Sequence, residues 1–266
     1  MIVIKFGGHA MADAEGLFAR AVQSILDLGE QCIIVHGGGP QIDAALKASD
    51  IGSAYLGGFR VTTSETFDVV QRVLSGEVLR AVVAQLREVG INAAGLTGRD
   101  GGLLIAKKMM QLVDGTAVDL GQVGEVVRVD TAILDALLGA GFLPVVSPIA
   151  TEGDDVEEIS AIGLNVNADL AAAAIAGAMR ADTLIFMTDV PGIYRHWPDT
   201  ASLISIIRAE ELQKIKDIFS EGMAPKVQAC LNAISSGAGA VRVIDGKDPE
   251  AFALALRGHG GTLVTA

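Results

Sequence analysis

Short runs rich in β-branched residues alternate with stretches of helical period along most of the chain, and this alternation limits the possible folds more than any other feature. The runs are IVIKF, QCIIVHG, GEVVRVD, LPVVSPI, TLIFMTD and AVRVIDG. Strands separated by helices pair in parallel through right-handed crossovers, and the helices cover both faces of the sheet. The sequence therefore predicts an α/β fold, a three-layer αβα sandwich around a mainly parallel central sheet.

Helical periodicity is clearest in the stretch that follows the first strand. It gives this helix one apolar face, which we expect to be buried, made of Leu17, Ala21, Ile25 and Leu28. Gly29 follows the last of these residues and is expected to end the helix.

Two longer segments predict different local structures. Residues 64–89 keep a helical period, and Gly76 interrupts it, so we expect a bend or two helices there. Residues 98–130 are rich in glycine and alternate polar with apolar positions, which favours strands and hairpins.

The motifs change character near residue 180, so we predict two lobes, 1–180 and 181–266, that share a continuous sheet or a broad interface.

Composition excludes several classes of partner. Half of the 266 residues are apolar, which is enough for a full hydrophobic core. The formal net charge is −12 and no lysine or arginine runs offset it, so neither nucleic acid nor an anionic membrane is an expected partner. The chain opens directly on a strand pattern without a basic leader or a long apolar run, which predicts a cytoplasmic protein.

Cysteine and histidine residues do not form the patterns of a metal site. Cys32 and Cys230 each stand alone in an apolar context, so we expect buried free thiols. The four histidines are scattered and no HExxH motif occurs, so we expect no metal site built by the protein itself.

Two glycine loops follow predicted strands and precede predicted helices. The first is KFGG at 5–8, and the second is HGGGP at 36–40, where Pro40 suits the first turn of a helix. Glycine lets the backbone approach phosphate or carboxylate oxygens, and a following helix adds aligned N–H donors. Parallel strands bring their carboxyl ends to one edge of the sheet, so both loops should face one cleft. Neither GxxxxGK[ST] nor a strand-linked GxGxxG occurs, which excludes P-loop and Rossmann nucleotide sites.

A larger set of motifs resembles one known family. The motifs are IKFGGHA, VHGGGPQI, GGFRVT, the DGG and VGEV region, LPVVSP, LNVNADLAA, TDVPGIY, GMAPKVQACL and VIDG. They occur in the order found in the acetylglutamate kinases of the amino acid kinase family, and IYRHWPDTASLI is similar to the actinobacterial version. The resemblance implies an amino acid kinase-like fold and ATP-dependent phosphorylation of the side-chain carboxylate of N-acetyl-L-glutamate, a step of arginine biosynthesis.

The resemblance also implies three catalytic residues. Lys5 and Lys226 match the two lysines that neutralise phosphoryl charge in the transition state, and Asp169 matches the acid that holds both of them in place. Phosphoryl transfer needs positioning and charge stabilisation more than covalent help from the protein. The acceptor carboxylate is already ionised at neutral pH, so no general base is required.

Four positions match residues that bind the acyl amino acid. Gly38 and Gly39 match the glycines whose backbone N–H groups hold the attacking carboxylate. Arg60 matches the residue that clamps the α-carboxylate, a task suited to the guanidinium fork. Asn165 matches the side chain that binds the acetamido or α-carboxylate region.

Five positions match the nucleotide side of the family's site. Gly8 resembles the glycine that approaches the ATP phosphates. The turn TDVPGIY resembles the segment that binds adenosine and ribose, which points to Thr188, Asp189, Gly192 and Tyr194. Mg²⁺ is expected to arrive with ATP and to be held largely by phosphate oxygens.

Several alternatives stay open at this point. A related kinase could act on acetylaminoadipate or a carrier-bound amino acid, since one methylene gives only about 1–3 kcal/mol of discrimination. A noncatalytic sensor on the same fold is a third possibility, although Lys5, Asp169 and Lys226 are all present. From the resemblance, and because the sequence starts at the first strand, we expect a homodimer that arginine does not inhibit.

Overall fold

The computed structural model of the chain describes residues 1–7, 16–112, 114–154, 159–219 and 223–266. In chain order, the strands within these ranges are β1 (Ile2–Phe6), β2 (Cys32–His36), β3 (Tyr55–Leu56), β4 (Phe59–Arg60), β5 (Ala93–Thr97), β6 (Leu104–Lys108), β7 (Val123–Val129), β8 (Leu143–Ser147), β9 (Ile149–Gly153), β10 (Ile159–Val166), β11 (Thr183–Thr188), β12 (Ile206–Arg208), β13 (Ala240–Asp245) and β14 (Thr262–Thr265). The α-helices are α1 (Leu17–Asp27), α2 (Gly39–Ala48), α3 (Ser64–Arg72), α4 (Leu79–Glu88), α5 (Ala132–Gly139), α6 (Ala168–Ala178), α7 (Ala209–Ile215), α8 (Ala224–Ser235) and α9 (Pro249–Leu256).

The main sheet has eight strands in the order β12-β14-β13-β11-β1-β2-β8-β5. Its neighbouring strands are parallel except for the antiparallel pair β13 and β14. Alternate residues of each strand point to opposite faces, so two hydrophobic clusters form, one around Val35 and Phe186 and the other around Ile34 and Ile185. The predicted three-layer αβα sandwich is confirmed.

The sheet runs without interruption across residue 180. Strand β11 lies beside β1, which pairs on its other side with β2. These three parallel strands end at Thr188, Phe6 and His36. Because the strands are parallel neighbours, the two predicted glycine loops and the TDVPGIY turn begin at one edge of the sheet. Ligands of open α/β sheets bind at this edge.

A second, smaller sheet supports this edge. Strands β10, β7, β6 and β9 close into a barrel, and β3 pairs with β4 in a short hairpin. The strands predicted within residues 98–130 are confirmed as β6 and β7. Among the described residues, no helix is both long enough and apolar enough to cross a lipid bilayer.

Helix α1 buries a face that only partly overlaps the predicted one, and Ile25 belongs to both. Its buried residues include Phe18, Val22 and Ile25, whereas Leu17 is 36% exposed and Leu28 is 83% exposed. The ring of Phe18 stacks on that of Phe6 in β1, with 3.8 Å between centroids, and this contact sets the rotation of the helix. The prediction that Leu17 and Leu28 are buried was wrong, because a core contact outweighed the local periodicity.

The interruption predicted near Gly76 is confirmed. A π-helical segment, Val73–Val78, separates α3 from α4 and contains this glycine. Such wide turns are rare inside helices and often occur near functional sites. Here the segment directs Leu74 toward Gly38, where a Cβ atom would lie 2.6 Å from the leucine Cδ2.

Candidate active site

Three charged side chains from distant parts of the sequence meet above the sheet edge. Lys5 Nζ lies 3.0 Å from Asp169 Oδ1 in an ion pair, and Lys226 Nζ donates a 2.6 Å hydrogen bond to Asp169 Oδ2. We call Lys5, Asp169 and Lys226 the charge triad. The structure thus brings together all three predicted catalytic residues.

The local fold explains why these side chains meet. Asp169 and Lys226 both lie in the first turn of a helix, α6 and α8 respectively. The side chain of Asn167 caps α6 by accepting hydrogen bonds from the backbone of Asp169 and Leu170. The two helices approach closely at Gly177, where any Cβ atom would be 2.3 Å from that of Ser236.

Burial makes the charges of the triad interdependent. The side chains of Lys5, Asp169 and Lys226 are only 12%, 11% and 14% exposed. Burial by itself raises the pKa of Asp169, but the charges of Lys226 and Lys5 outweigh that effect and hold this pKa well below its usual range. Burial lowers the pKa of Lys5, and Asp169 partly opposes this shift. The triad is a compact group with one excess positive charge.

Two cavities share Lys5 as a lining residue. The larger has a volume of about 860 Å³ and also borders Lys226. The smaller has a volume of about 230 Å³ and also borders Asp169. The Lys5 side chain therefore contributes to the walls of both cavities.

The smaller cavity collects the four residues predicted to bind the acyl amino acid. Gly38, Gly39, Arg60 and Asn165 all line it. Gly38 and Gly39 begin α2, so their N–H groups lie at the positive end of a helix. Asn165 is oriented by a 3.2 Å hydrogen bond from its Nδ2 to Thr62 Oγ1. The cavity therefore offers several donors to a small anionic ligand.

Arg60 is held by a network that the sequence did not reveal. Its Nη1 donates to Asp43 Oδ1 at 2.6 Å and to Ser53 Oγ at 2.5 Å. Its Nη2 donates to the Gly39 carbonyl oxygen at 3.3 Å and to the hydroxyl of Tyr55. The guanidinium hydrogen bonds lower the pKa of Asp43. These contacts engage the four N–H groups of the terminal nitrogens, so a ligand carboxylate would be bound through the Nε–H group and the positive charge of the guanidinium.

The larger cavity contains three of the five predicted nucleotide-binding residues. Thr188, Asp189 and Tyr194 line it. Gly192 does not, since it packs against Thr262 and a Cβ there would lie 2.5 Å from the threonine Oγ1. Gly8 lies outside the described residues, and the structure gives no account of it.

Apolar and aromatic side chains missed by sequence reasoning line the same cavity. Trp197, Phe219 and Met223 border it, together with the cationic Arg195. The Trp197 ring meets that of Tyr194 edge to face, with 5.2 Å between centroids, while staying 65% exposed. An exposed aromatic ring beside a cavity can stack on a planar ligand. The signal in the sequence was the single tryptophan of the chain.

Gly7 leaves room for the Lys5 ammonium. A Cβ atom at Gly7 would lie 2.9 Å from Lys5 Nζ and 3.1 Å from its Cε. We expect Gly7→Ala to displace the Lys5 ammonium and to lower kcat about 10- to 100-fold, because small misplacements of reacting groups cost this much. Steady-state kinetics with ATP and N-acetyl-L-glutamate, the substrates that the family resemblance implies, measure the change. Gly139→Ala is the matched control, since a Cβ there meets nothing within 4 Å, and equal kinetics for both variants would contradict the steric argument.

Metal ligands are sparse in the described part of the chain. No group of three or more His, Cys, Asp or Glu side chains is placed to hold a metal ion there. In the larger cavity the carboxylate of Asp189 lies 3.7 Å from Lys247 Nζ. Mg²⁺ dehydrates reluctantly and is commonly bound through substrate phosphates and one or two carboxylates, and the residues present fit that mode.

Comparisons with known proteins agree with this geometry. The sequence profile of the Amino acid kinase family matches residues 1–245. An acetylglutamate kinase from Beutenbergia cavernae is 47% identical over 256 residues, covering 96% of this chain and 81% of that protein. One from Streptomyces coelicolor is 46% identical over 248 residues, covering 92% and 79%. Among solved structures, smu.665 from Streptococcus mutans matches with a TM-score of 0.80 at 27% identity, covering 100% of this chain and 98% of that one.

The resemblance inferred from the motifs is thereby confirmed. The matched region includes β1 with Lys5, the glycine loop before α2, and the start of α8 with Lys226. The fold, the profile and the relatives all lead to one assignment: the chain belongs to the amino acid kinase family.

Proposed function

We propose that the chain transfers the γ-phosphoryl group of ATP to the side-chain carboxylate of N-acetyl-L-glutamate, yielding N-acetyl-L-glutamyl 5-phosphate and ADP for arginine biosynthesis. The observation that carries this proposal is that the charge triad lines both cavities, the larger through Lys5 and Lys226 and the smaller through Lys5 and Asp169. Relatives named acetylglutamate kinase, 46–47% identical over more than nine tenths of the chain, support the same reaction.

The acceptor is proposed to occupy the smaller cavity. The N–H groups of Gly38 and Gly39 would hold the attacking carboxylate, while Arg60 and Asn165 would bind the α-carboxylate and acetamido groups. A carboxylate held by aligned donors needs no base, because it attacks phosphorus as the anion. The burial of His36 agrees with this, since burial lowers its pKa to about 4 and keeps it neutral.

ATP is proposed to occupy the larger cavity. Thr188, Asp189 and Tyr194 would lie beside the nucleoside, and the exposed ring of Trp197 would stack on the base. Lys5 and Lys226 then face the oxygens of the transferred group as its bond to the β,γ-bridging oxygen breaks and its bond to the acceptor oxygen forms. Mg²⁺ carried by the phosphates would supply further neutralisation of their charge.

The charge triad is proposed to act by preorganisation. Two lysines near one phosphoryl group repel each other, and both are costly to bury. Asp169 offsets the repulsion between the lysines and the cost of burying them, because each of its carboxylate oxygens contacts one lysine ammonium. The triad therefore presents its excess positive charge where negative charge develops in the transition state.

The assignment of the acceptor to residues 1–180 and of ATP to residues 181–266 stays a proposal. The smaller cavity is lined by residues between Lys5 and Asp169, within the predicted acceptor lobe 1–180. Most residues of the larger cavity fall between Met187 and Lys226, within the predicted ATP lobe 181–266. The homodimer stays a prediction from the family resemblance, and light scattering would test it. The cytoplasmic location stays a prediction from the sequence pattern.

Trapping of the acyl phosphate tests the proposed reaction. With ATP, Mg²⁺ and hydroxylamine, we expect an acyl hydroxamate from N-acetyl-L-glutamate and none from free glutamate, because the acetamido group has its own partner in the cavity. Product from N-acetylaminoadipate at equal or higher kcat/KM would reassign the substrate while keeping the mechanism. ATP binding without product from any acceptor would support the noncatalytic sensor instead.

A further inference from the structure

The network around Arg60 joins two walls of the smaller cavity. Asp43 lies on α2, and Arg60 lies on the β3–β4 hairpin together with Tyr55. Asp43 Oδ1 also accepts a 2.9 Å hydrogen bond from Ser53 Oγ, and its Oδ2 accepts one from the Tyr55 hydroxyl at 3.3 Å. The four side chains form a closed polar network, which we call the Arg60 network.

The guanidinium has little freedom within this network. Its two terminal nitrogens make four contacts, with Asp43, Ser53, Tyr55 and the carbonyl oxygen of Gly39. The Arg60 side chain is only 5% exposed, whereas that of Asp43 is 46% exposed. A buried charge held by several partners keeps one position, so Arg60 is a rigid anchor.

The contact with Gly39 gives this anchor a specific consequence. Gly39 belongs to the loop proposed to hold the attacking carboxylate, and Arg60 Nη2 lies 3.3 Å from the carbonyl oxygen of the same residue. The two anchor points for the acceptor are therefore tied directly to each other. The Arg60 network therefore fixes the distance between the Gly39 loop and the guanidinium, which a freely rotating arginine side chain would not do.

We propose that Asp43, Ser53 and Tyr55 are positioning residues that set the length of acceptor the site takes. The inference rests on the proposed function, since it assigns the two ends of an acyl amino acid dicarboxylate to Gly38–Gly39 and Arg60. With Arg60 fixed, an acceptor with one additional methylene cannot place both carboxylates at once. Loosening the network lets Arg60 retreat and accommodate the longer chain.

The exposed carboxylate of Asp43 makes the network testable by a nearly isosteric change. Asp43→Asn keeps the shape of the side chain but removes the charge that binds Arg60 Nη1. A hydrogen bond to a charged group is worth more than a neutral one, so the guanidinium becomes less firmly held. Ser53→Ala removes another partner of the same nitrogen from a different segment and serves as the second variant.

The experiment compares kcat/KM for N-acetyl-L-glutamate and N-acetylaminoadipate in wild type and in both variants. A single methylene gives about 10- to 200-fold discrimination, and we expect Asp43→Asn to reduce the wild-type ratio about tenfold, with a smaller drop for Ser53→Ala. KM for ATP is expected to stay unchanged, because the larger cavity does not contain these residues. Asp68→Asn, exposed on α3, is the matched carboxylate control and should keep the wild-type ratio.

Two outcomes would overturn this proposal, and a third would count against the proposed function. An unchanged ratio in both variants would overturn the proposal, since Arg60 would then select length without its network. A lower KM for N-acetyl-L-glutamate at an unchanged ratio would also overturn it, because Asp43 would then compete with the substrate for the guanidinium. Failure of the wild type to turn over either acceptor would count against the proposed function itself, and calorimetric binding of the two acceptors would then test the network alone.

Discussion

Replacing Lys226 with alanine is expected to lower kcat by about 10²- to 10³-fold, the usual cost of losing one preorganised donor to a transition-state charge. KM for both substrates should change far less, because the ammonium acts on charge that develops during transfer and is not needed to hold the ground state. Steady-state kinetics with saturating ATP and acceptor measure both quantities. A fall in kcat/KM that came entirely from KM would place Lys226 among the binding residues.

A matched control separates this effect from general loss of positive charge. Lys214→Ala removes an exposed lysine from the last turn of α7, outside both cavities. We expect its kcat to stay within about twofold of wild type, as is usual for exposed positions away from a site. Near-normal kcat in Lys226→Ala itself would remove the lysine from the proposed mechanism.

Asp169→Asn is expected to damage stability and catalysis together. Removing one partner of a buried ion pair costs about 3–5 kcal/mol, since it leaves uncompensated charge, and here two lysines lose their carboxylate. Urea unfolding at pH 7 measures the loss, with Asp68→Asn as the exposed control. We also expect kcat to fall by about 10²-fold or more, because both ammonium groups lose their fixed positions.

The lowered pKa of Asp169 predicts how the loss of stability in Asp169→Asn depends on pH. The native pKa of Asp169 is held below its unfolded value of about 4, so its stabilising contribution is fully present above pH 4. It is lost as the pH falls through the depressed native pKa, where the carboxylate is protonated. The difference in unfolding free energy between wild type and Asp169→Asn should therefore be constant near neutrality and shrink below pH 4. A difference that persisted unchanged in acid would show that charge is not its origin.

Most of the fold could be predicted because its signals are local. Alternating strand and helix patterns are enough to indicate the parallel sheet, and Gly76 marked the break between α3 and α4. The face of α1 could not be read in the same way. Leu17 and Leu28 satisfy the helical period as well as Phe18 does, and only the stacking of Phe18 on Phe6, a contact between separate elements, decides between them.

The candidate site was predictable only where a motif carries it. Glycine loops after strands indicate an anion site on physical grounds. Asp169 and Lys226, by contrast, were linked to Lys5 through the family resemblance and not through their spacing in the sequence. Asp43 and Ser53 could not be found at all. They are ordinary polar residues whose importance comes from the hairpin that places Arg60 between them, and such a contact leaves no periodic pattern in the sequence.

The origin of the charge triad in β1, α6 and α8 has a consequence for how the active enzyme is made. Contacts between residues this far apart have high contact order, and closing such loops is slow and entropically costly. Every residue that lines the smaller cavity precedes Lys226 in the chain, so a nascent chain holds all of that cavity's residues before it holds the whole triad. We therefore expect catalytic competence to be among the last native properties to appear, when α8 docks on α6, so refolding assays should recover most secondary structure before they recover turnover.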